Sequence, residues 1–137
     1  MRNIIKAFGG RYIHQGKENT VICPMFFKQI LLAKNYKEQA NKELLNNLRY
    51  FFEVMKRLDT EDKTIIYEKY FKYAAIQPSK DKSPYHRDIY NLYVVKHLSN
   101  AKHSLIMKIQ PKEYRSRLDK ALMNYINILI ELKEEEL

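Results

Sequence analysis

The sequence predicts a mainly α-helical fold of five or six helices, and three observations predict it. Helix breakers are scarce, with 3 Gly and 4 Pro in 137 residues. Long side chains that suit helices, Lys and Leu among them, are abundant, and 45% of residues are apolar, enough to bury a core. Two long stretches, between Pro24 and Pro78 and from Tyr85 to Gln110, hold neither Gly nor Pro, and their apolar residues recur at helical intervals. The length is that of one domain, or of one small domain with an appended helix.

Residues 1–23 contain all three glycines and read as a basic arm or a small hairpin. For the hairpin, the β-prone runs are Tyr12–His14 and Thr20–Cys23, with Gly16 or Asn19 supplying a positive φ in the turn. Pro24 suits the first turn of a helix, and Phe26, Phe27, Ile30 and Leu31 follow at helical spacing. A polar stretch from Lys34 predicts a bend near Asn35. Leu44, Leu45, Leu48, Phe51, Phe52 and Met55 then trace a second apolar face. Asp59 or Thr60 caps a third helix, whose early acids favour the positive end of the helix dipole. Gln77–Pro84 reads as a loop.

Beyond that loop, Ile89, Leu92, Val95, Leu98, Leu105 and Ile109 recur at intervals of three, four or seven. Pro111 opens a final helix with the face Leu118, Ala121, Leu122, Tyr125, Leu129 and Leu132, a spacing that also allows pairing in a homodimer. The terminal Glu cluster sits at the negative end of that helix, so its last turn is expected to fray. The chain thus divides into an arm (1–23), a helical domain (24–110) and a C-terminal helix (111–137).

Composition also narrows function. Cys23 is the single cysteine, which precludes an internal disulfide and indicates a reducing compartment. No apolar run approaches the length on the order of 20 residues that spans a bilayer, and the start lacks a full signal-peptide core. A cytoplasmic protein without membrane association is expected. No phosphate loop, nucleophile elbow or nucleotide fingerprint is present. His14, His86, His97 and His103 never fall at the spacing that pairs metal ligands on one helical turn. An enzyme, a metal and a cofactor are therefore not expected. The net charge is +9 and uneven: residues 1–57 hold eleven Lys or Arg against four acids. Such a field attracts an anionic partner, above all nucleic acid.

One segment carries a resemblance. In Leu58–Tyr70 a Leu precedes a capped acidic turn, two aliphatics (Ile65, Ile66) and an aromatic (Tyr70), which resembles the opening helix of region 4 of bacterial sigma factors. Asp88–Tyr93 looks like the first helix of its helix-turn-helix, with Leu98, Leu105 and Ile109 at the buried positions of a recognition helix. The same order is similar to that of small phage and prophage transcriptional regulators of the ArpU/RinA type. The resemblance spans Leu58 to Ile109 and implies a DNA-binding transcription regulator with a helix-turn-helix at 88–109, acting on double-stranded DNA and touching RNA polymerase. Three features depart from the pattern: the loop between Tyr70 and Ile89 is long, the turn lacks Gly, and Ser99 can itself cap a helix beginning near Asn100. The competing reading is one continuous helix from about Tyr85 to Ile109.

If the motif is present, the side opposite Leu98, Leu105 and Ile109 carries Lys96, Asn100, His103 and Met107, flanked by Ser99. Lys and Asn can bond base edges and Ser or His can reach bases or phosphates; Lys102 and Lys108 on the flanks suit phosphates. Arg2, Lys6, Arg11 and Lys17 add phosphate attraction from the arm. The alternative is a non-enzymatic helical module, such as a phage modulator or adaptor, that docks on a host protein.

Overall fold

The structure, a computed structural model, describes residues 4–7, 11–14, 17–80 and 89–136, with side chains from Cys23 onward. The fold is mainly helical, as the breaker-poor sequence predicts. In chain order it runs β1 (Ile4–Ala7), β2 (Arg11–His14), α1 (Lys17–Asn35), a single 3-10 turn (Lys37–Gln39), α2 (Lys42–Arg57) and α3 (Thr60–Tyr67). A π-helical turn (Glu68–Lys72), β3 (Ala75–Pro78), α4 (Ile89–Leu92), β4 (Tyr93–Lys96), α5 (Asn100–Met107) and α6 (Pro111–Glu135) follow.

The front hairpin forms with a different partner strand from the one expected: Arg11–His14 pairs with Ile4–Ala7, not with Thr20–Cys23. β1 pairs antiparallel with β2, Ile4 opposite His14 and Ala7 opposite Arg11. Thr20–Cys23 instead lies in α1, which therefore holds Pro24 in its interior rather than at its start. The reason is the apolar spacing: Cys23, Phe26, Phe27 and Ile30 fall on one helical face and all are buried. Continuing that face outweighs the hydrogen bond that Pro24 cannot donate. The bend near Asn35 forms as expected, and α2 starts where the Asn41 side chain accepts a hydrogen bond from the Leu44 N–H at 2.8 Å.

α6 is the spine of the domain, not an appendage. Its face Leu118, Ala121, Leu122, Tyr125, Leu129 and Leu132 is buried and packs against α1, α2 and α3, with Tyr114 meeting α5. The face that the spacing offered for dimer pairing is therefore spent inside the monomer. Its acidic end is also tied down rather than frayed. Arg57 of α2 pairs with Glu135 at 3.4 Å, the Tyr50 hydroxyl donates to Glu136, and Lys133 lies over the Tyr50 ring. These contacts offset the unfavourable placement of carboxylates at a helix C-terminus.

Phe27 sits at the centre of the core. Its ring meets those of Tyr125 at 4.8 Å, Tyr70 at 5.0 Å, Phe71 at 5.8 Å and Phe51 at 6.2 Å. One side chain thereby joins α1 to α2, the π turn and α6 through aromatic contacts that are edge-on, save the tilted one to Tyr70. Phe27→Ala should lower stability by about 3–5 kcal/mol, as large-to-small aromatic substitutions in cores do. Urea denaturation followed by circular dichroism measures this, and a loss below about 1 kcal/mol would contradict the central place of the ring.

Candidate functional site

The segment expected to form a helix-turn-helix, or else one continuous helix, does neither over residues 89–109. α4 is a single turn, and Tyr93–Lys96 then extends as β4, antiparallel to β3 with Ile76 opposite Val95. The β-branched and aromatic run Tyr93-Val94-Val95 favours an extended, half-buried ribbon over a helix. The helical phase restarts at Ser99, whose hydroxyl accepts from the Lys102 N–H at 3.2 Å and caps α5. Leu98 lies outside that helix, so its seven-residue spacing to Leu105 carries no information about a shared face.

The phase of α5 is consequently the reverse of the one expected. His103 is 0% exposed and Ser104 is buried, whereas Leu105 is 78% exposed and Ile106 47%. Polar contacts, rather than apolar ones, hold the inner face. His103 Nε2 lies 2.9 Å from Glu68 Oε1, and Nδ1 lies 2.8 Å from the Tyr114 hydroxyl. The neutral tautomer with its proton on Nε2 satisfies both contacts: the ring donates to the carboxylate and accepts from the tyrosine. Burial, and then the nearby Glu68 charge, push the Tyr114 hydroxyl pKa up, which keeps it a donor.

Lys69 completes the clamp. Its buried ammonium donates to the Leu98 carbonyl at 2.7 Å and to Asn100 Oδ1 at 2.6 Å, and burial holds its pKa below the usual lysine value. The π turn makes this geometry. Lys69, Tyr70 and Phe71 of this turn are buried in succession. His97, half-buried beside the Tyr70 ring at 5.0 Å, is held below the usual imidazole pKa by burial, then by Lys69 and Lys28.

At its other end α5 stops at Lys108, which adopts the left-handed conformation at φ 59° and ψ 41°. The Lys108 N–H bonds the Leu105 carbonyl at 3.2 Å and the Ile109 N–H bonds that of Ser104 at 3.1 Å, closing the helix. Only Lys108, Ile109 and Gln110 separate α5 from α6, whose first residue is Pro111. The two helices and this three-residue turn form a compact corner. Lys112, Arg115, Ser116, Asp119 and Lys120 lie exposed along the first half of α6.

The expected nucleic-acid contacts divide accordingly. Lys96, Lys102 and Lys108 are exposed and form no ion pair with a described residue. Ser99 and Asn100 are exposed, but Ser99 is engaged as a cap and Asn100 with Lys69. His103 cannot touch a ligand, and Met107 is half-buried. Lys6, Arg11 and Lys17 lie in β1, β2 and α1, with side chains outside the description, and Arg2 lies outside the described residues. Sequence reasoning missed Lys112 and Arg115, whose signal was Pro111, the marker of a helix start. Among the described residues no group of three His, Cys, Asp or Glu is placed to hold a metal ion. No described helix is long and apolar enough to cross a membrane.

His103→Ala should cost roughly 2–4 kcal/mol, because it opens a cavity and strands the Glu68 and Tyr114 oxygens; urea titration reads the change. His97 gives a pH signature. Its pKa is lowered on folding, so the unfolded chain binds the proton first as pH falls, and stability is lost below about 6.5. The slope of stability between about pH 7 and 5 should therefore flatten in His97→Gln, and an unchanged slope would contradict the assignment.

No protein-family model, curated protein or solved structure matches the chain.

Proposed function

We propose that the protein binds duplex DNA through the corner made by α5, the Lys108 turn and the first half of α6. The observation that carries this reading is the density of unpaired cations there. Residues 93–120 hold seven Lys or Arg against two acids, a net of +5. Of those seven, only Arg117 forms an ion pair with described residues, to Glu61 and Glu113.

The corner has the parts of a helix-turn-helix, displaced one helix downstream of the sequence expectation. In such a motif the second helix lies in the major groove with its N-terminal residues at the base edges, while the first crosses the backbone. Here α6 is the second helix. Arg115 and Lys112 are suited to guanine edges, and Ser116 to either a base or a phosphate. Lys102, Lys108 and Lys96 stand where phosphates would pass. Lys108 takes the left-handed position that Gly often fills, which accounts for a turn without Gly. The resemblance of Leu58–Tyr70 to the opening helix of sigma region 4, which does not depend on residues 88–109, suggests the role, regulation of transcription.

Fluorescence anisotropy with a labelled duplex of about 25 base pairs tests the proposal. Affinity should fall by about two to three decades between about 50 and 200 mM salt, as roughly five phosphate contacts require. Lys112→Gln with Arg115→Gln should weaken binding about tenfold or more, with an unchanged melting temperature. Absence of salt-sensitive binding, or full affinity in the double variant, would overturn it.

A further inference from the structure

The same corner has a second chemical character that a duplex does not use. Between α5 and the start of α6 lies a groove of about 620 Å³, its apolar wall formed by Ala101, Leu105, Pro111 and Tyr114, and its basic wall by Lys112 and Arg115. Leu105 is the most exposed large hydrophobic side chain among the described residues, and Ile106 is half-exposed beside it. A contiguous apolar surface rimmed by polar groups is the usual mark of a macromolecular contact.

We infer that this groove docks an acidic amphipathic helix of a partner protein. The apolar wall requires an occupant with an apolar ridge; base edges offer only thymine methyl groups and phosphates offer none. The charge of the occupant follows from the rim. Lys112 and Arg115 line the groove, Lys102 of α5 and Lys108 of the turn are near in sequence to its lining, and none of the four forms an ion pair with a described residue. A cleft between two helices receives a third helix through residues spaced at i, i+4 and i+7.

A second copy of this chain does not fit. Its acidic segment is the end of α6, where Glu135 pairs with Arg57 and Glu136 with Tyr50, while Leu129 and Leu132 of the same turns are buried. That segment has carboxylates but no apolar ridge to offer. The docking reading goes beyond DNA binding and does not rest on it. Because Lys112 and Arg115 are common to both surfaces, an acidic helix and a duplex exclude one another.

The test uses the full chain and a fluorescein-labelled peptide of about 18 residues, with Leu at i, i+4 and i+7 and Glu on both flanks of that ridge. An equally charged peptide with Ala in place of Leu, and an oligoglutamate, serve as controls. The Leu-containing peptide should bind about tenfold or more tightly than either control. Leu105→Gln should weaken it about tenfold, and Ala101→Glu, a second exposed position on the groove wall, should weaken it several-fold at an unchanged melting temperature.

Under the same conditions Leu105→Gln should leave duplex affinity intact. Loss of peptide binding alone then separates docking from DNA contact, and the peptide result decides even if no duplex binds. Equal binding of oligoglutamate, indifference to both substitutions, or no peptide binding would overturn the inference.

Discussion

The placement of the basic corner depends on how an eight-residue helix with a polar inner face is held. A helix as short as α5 does not persist in water without tertiary support, and its buried residues, His103 and Ser104, provide no apolar stripe to support it. Its position comes from directional contacts: Glu68 to His103 to Tyr114, and Lys69 to Leu98 and Asn100. Hydrogen bonds of this kind fix rotation as well as distance, which apolar packing does loosely. Glu68 and Lys69, the two residues that reach α5, are the first two residues of the π turn.

That dependence explains what the sequence made legible and what it concealed. Helices whose apolar residues form a stripe, such as α2 and α6, are visible in the spacing, since periodic burial is what such spacing encodes. α6 from Pro111 is the clearest case, though its place at the centre of the domain depends on partners far away in sequence. α5 is hidden because its burial is polar: nothing local says that His103 will meet Glu68, thirty-five residues earlier. The β3–β4 ribbon is hidden for another reason. Its strands are four residues each, too short to show alternation, and only the Tyr93-Val94-Val95 run hints at one of them. Leu98 and Leu105 then mimic a helical stripe across a strand and a cap, and the phase reads backwards.

Structure also redraws the charge. Counted by sequence blocks, the region 88–110 contributes little, with three bases against one acid, and most of the excess lies before residue 58. Counted by element, β4, α5 and the first half of α6 form one unit of +5, because the three-residue turn at Lys108 brings Lys102 and Lys112 onto the same corner. α6 is itself polarised. Its acidic end is satisfied by Arg57 and Tyr50 of α2, while at its basic end only Arg117 pairs with described residues. The intramolecular pairing thus removes negative potential from one end and leaves the positive end uncompensated.

α5 inverts the usual placement at four successive residues, burying His103 and Ser104 and exposing Leu105 and Ile106. A conventional arrangement would bury leucine and isoleucine and expose the histidine, gaining the transfer of two aliphatic side chains and avoiding desolvation of Glu68, Lys69 and His103. For folding alone the observed arrangement is the worse of the two. It holds only because every buried polar group in the clamp has a partner, since a half-satisfied network would cost more than the apolar alternative. A rigidly held helix that exposes Leu105 and Ile106, beside four cations that pair with no described residue, brings together the two properties that an acidic, apolar ligand can use at once. The polar clamp and the exposed Leu105 are therefore two sides of one constraint: the first fixes the rotation of α5, and that rotation turns the second toward the groove.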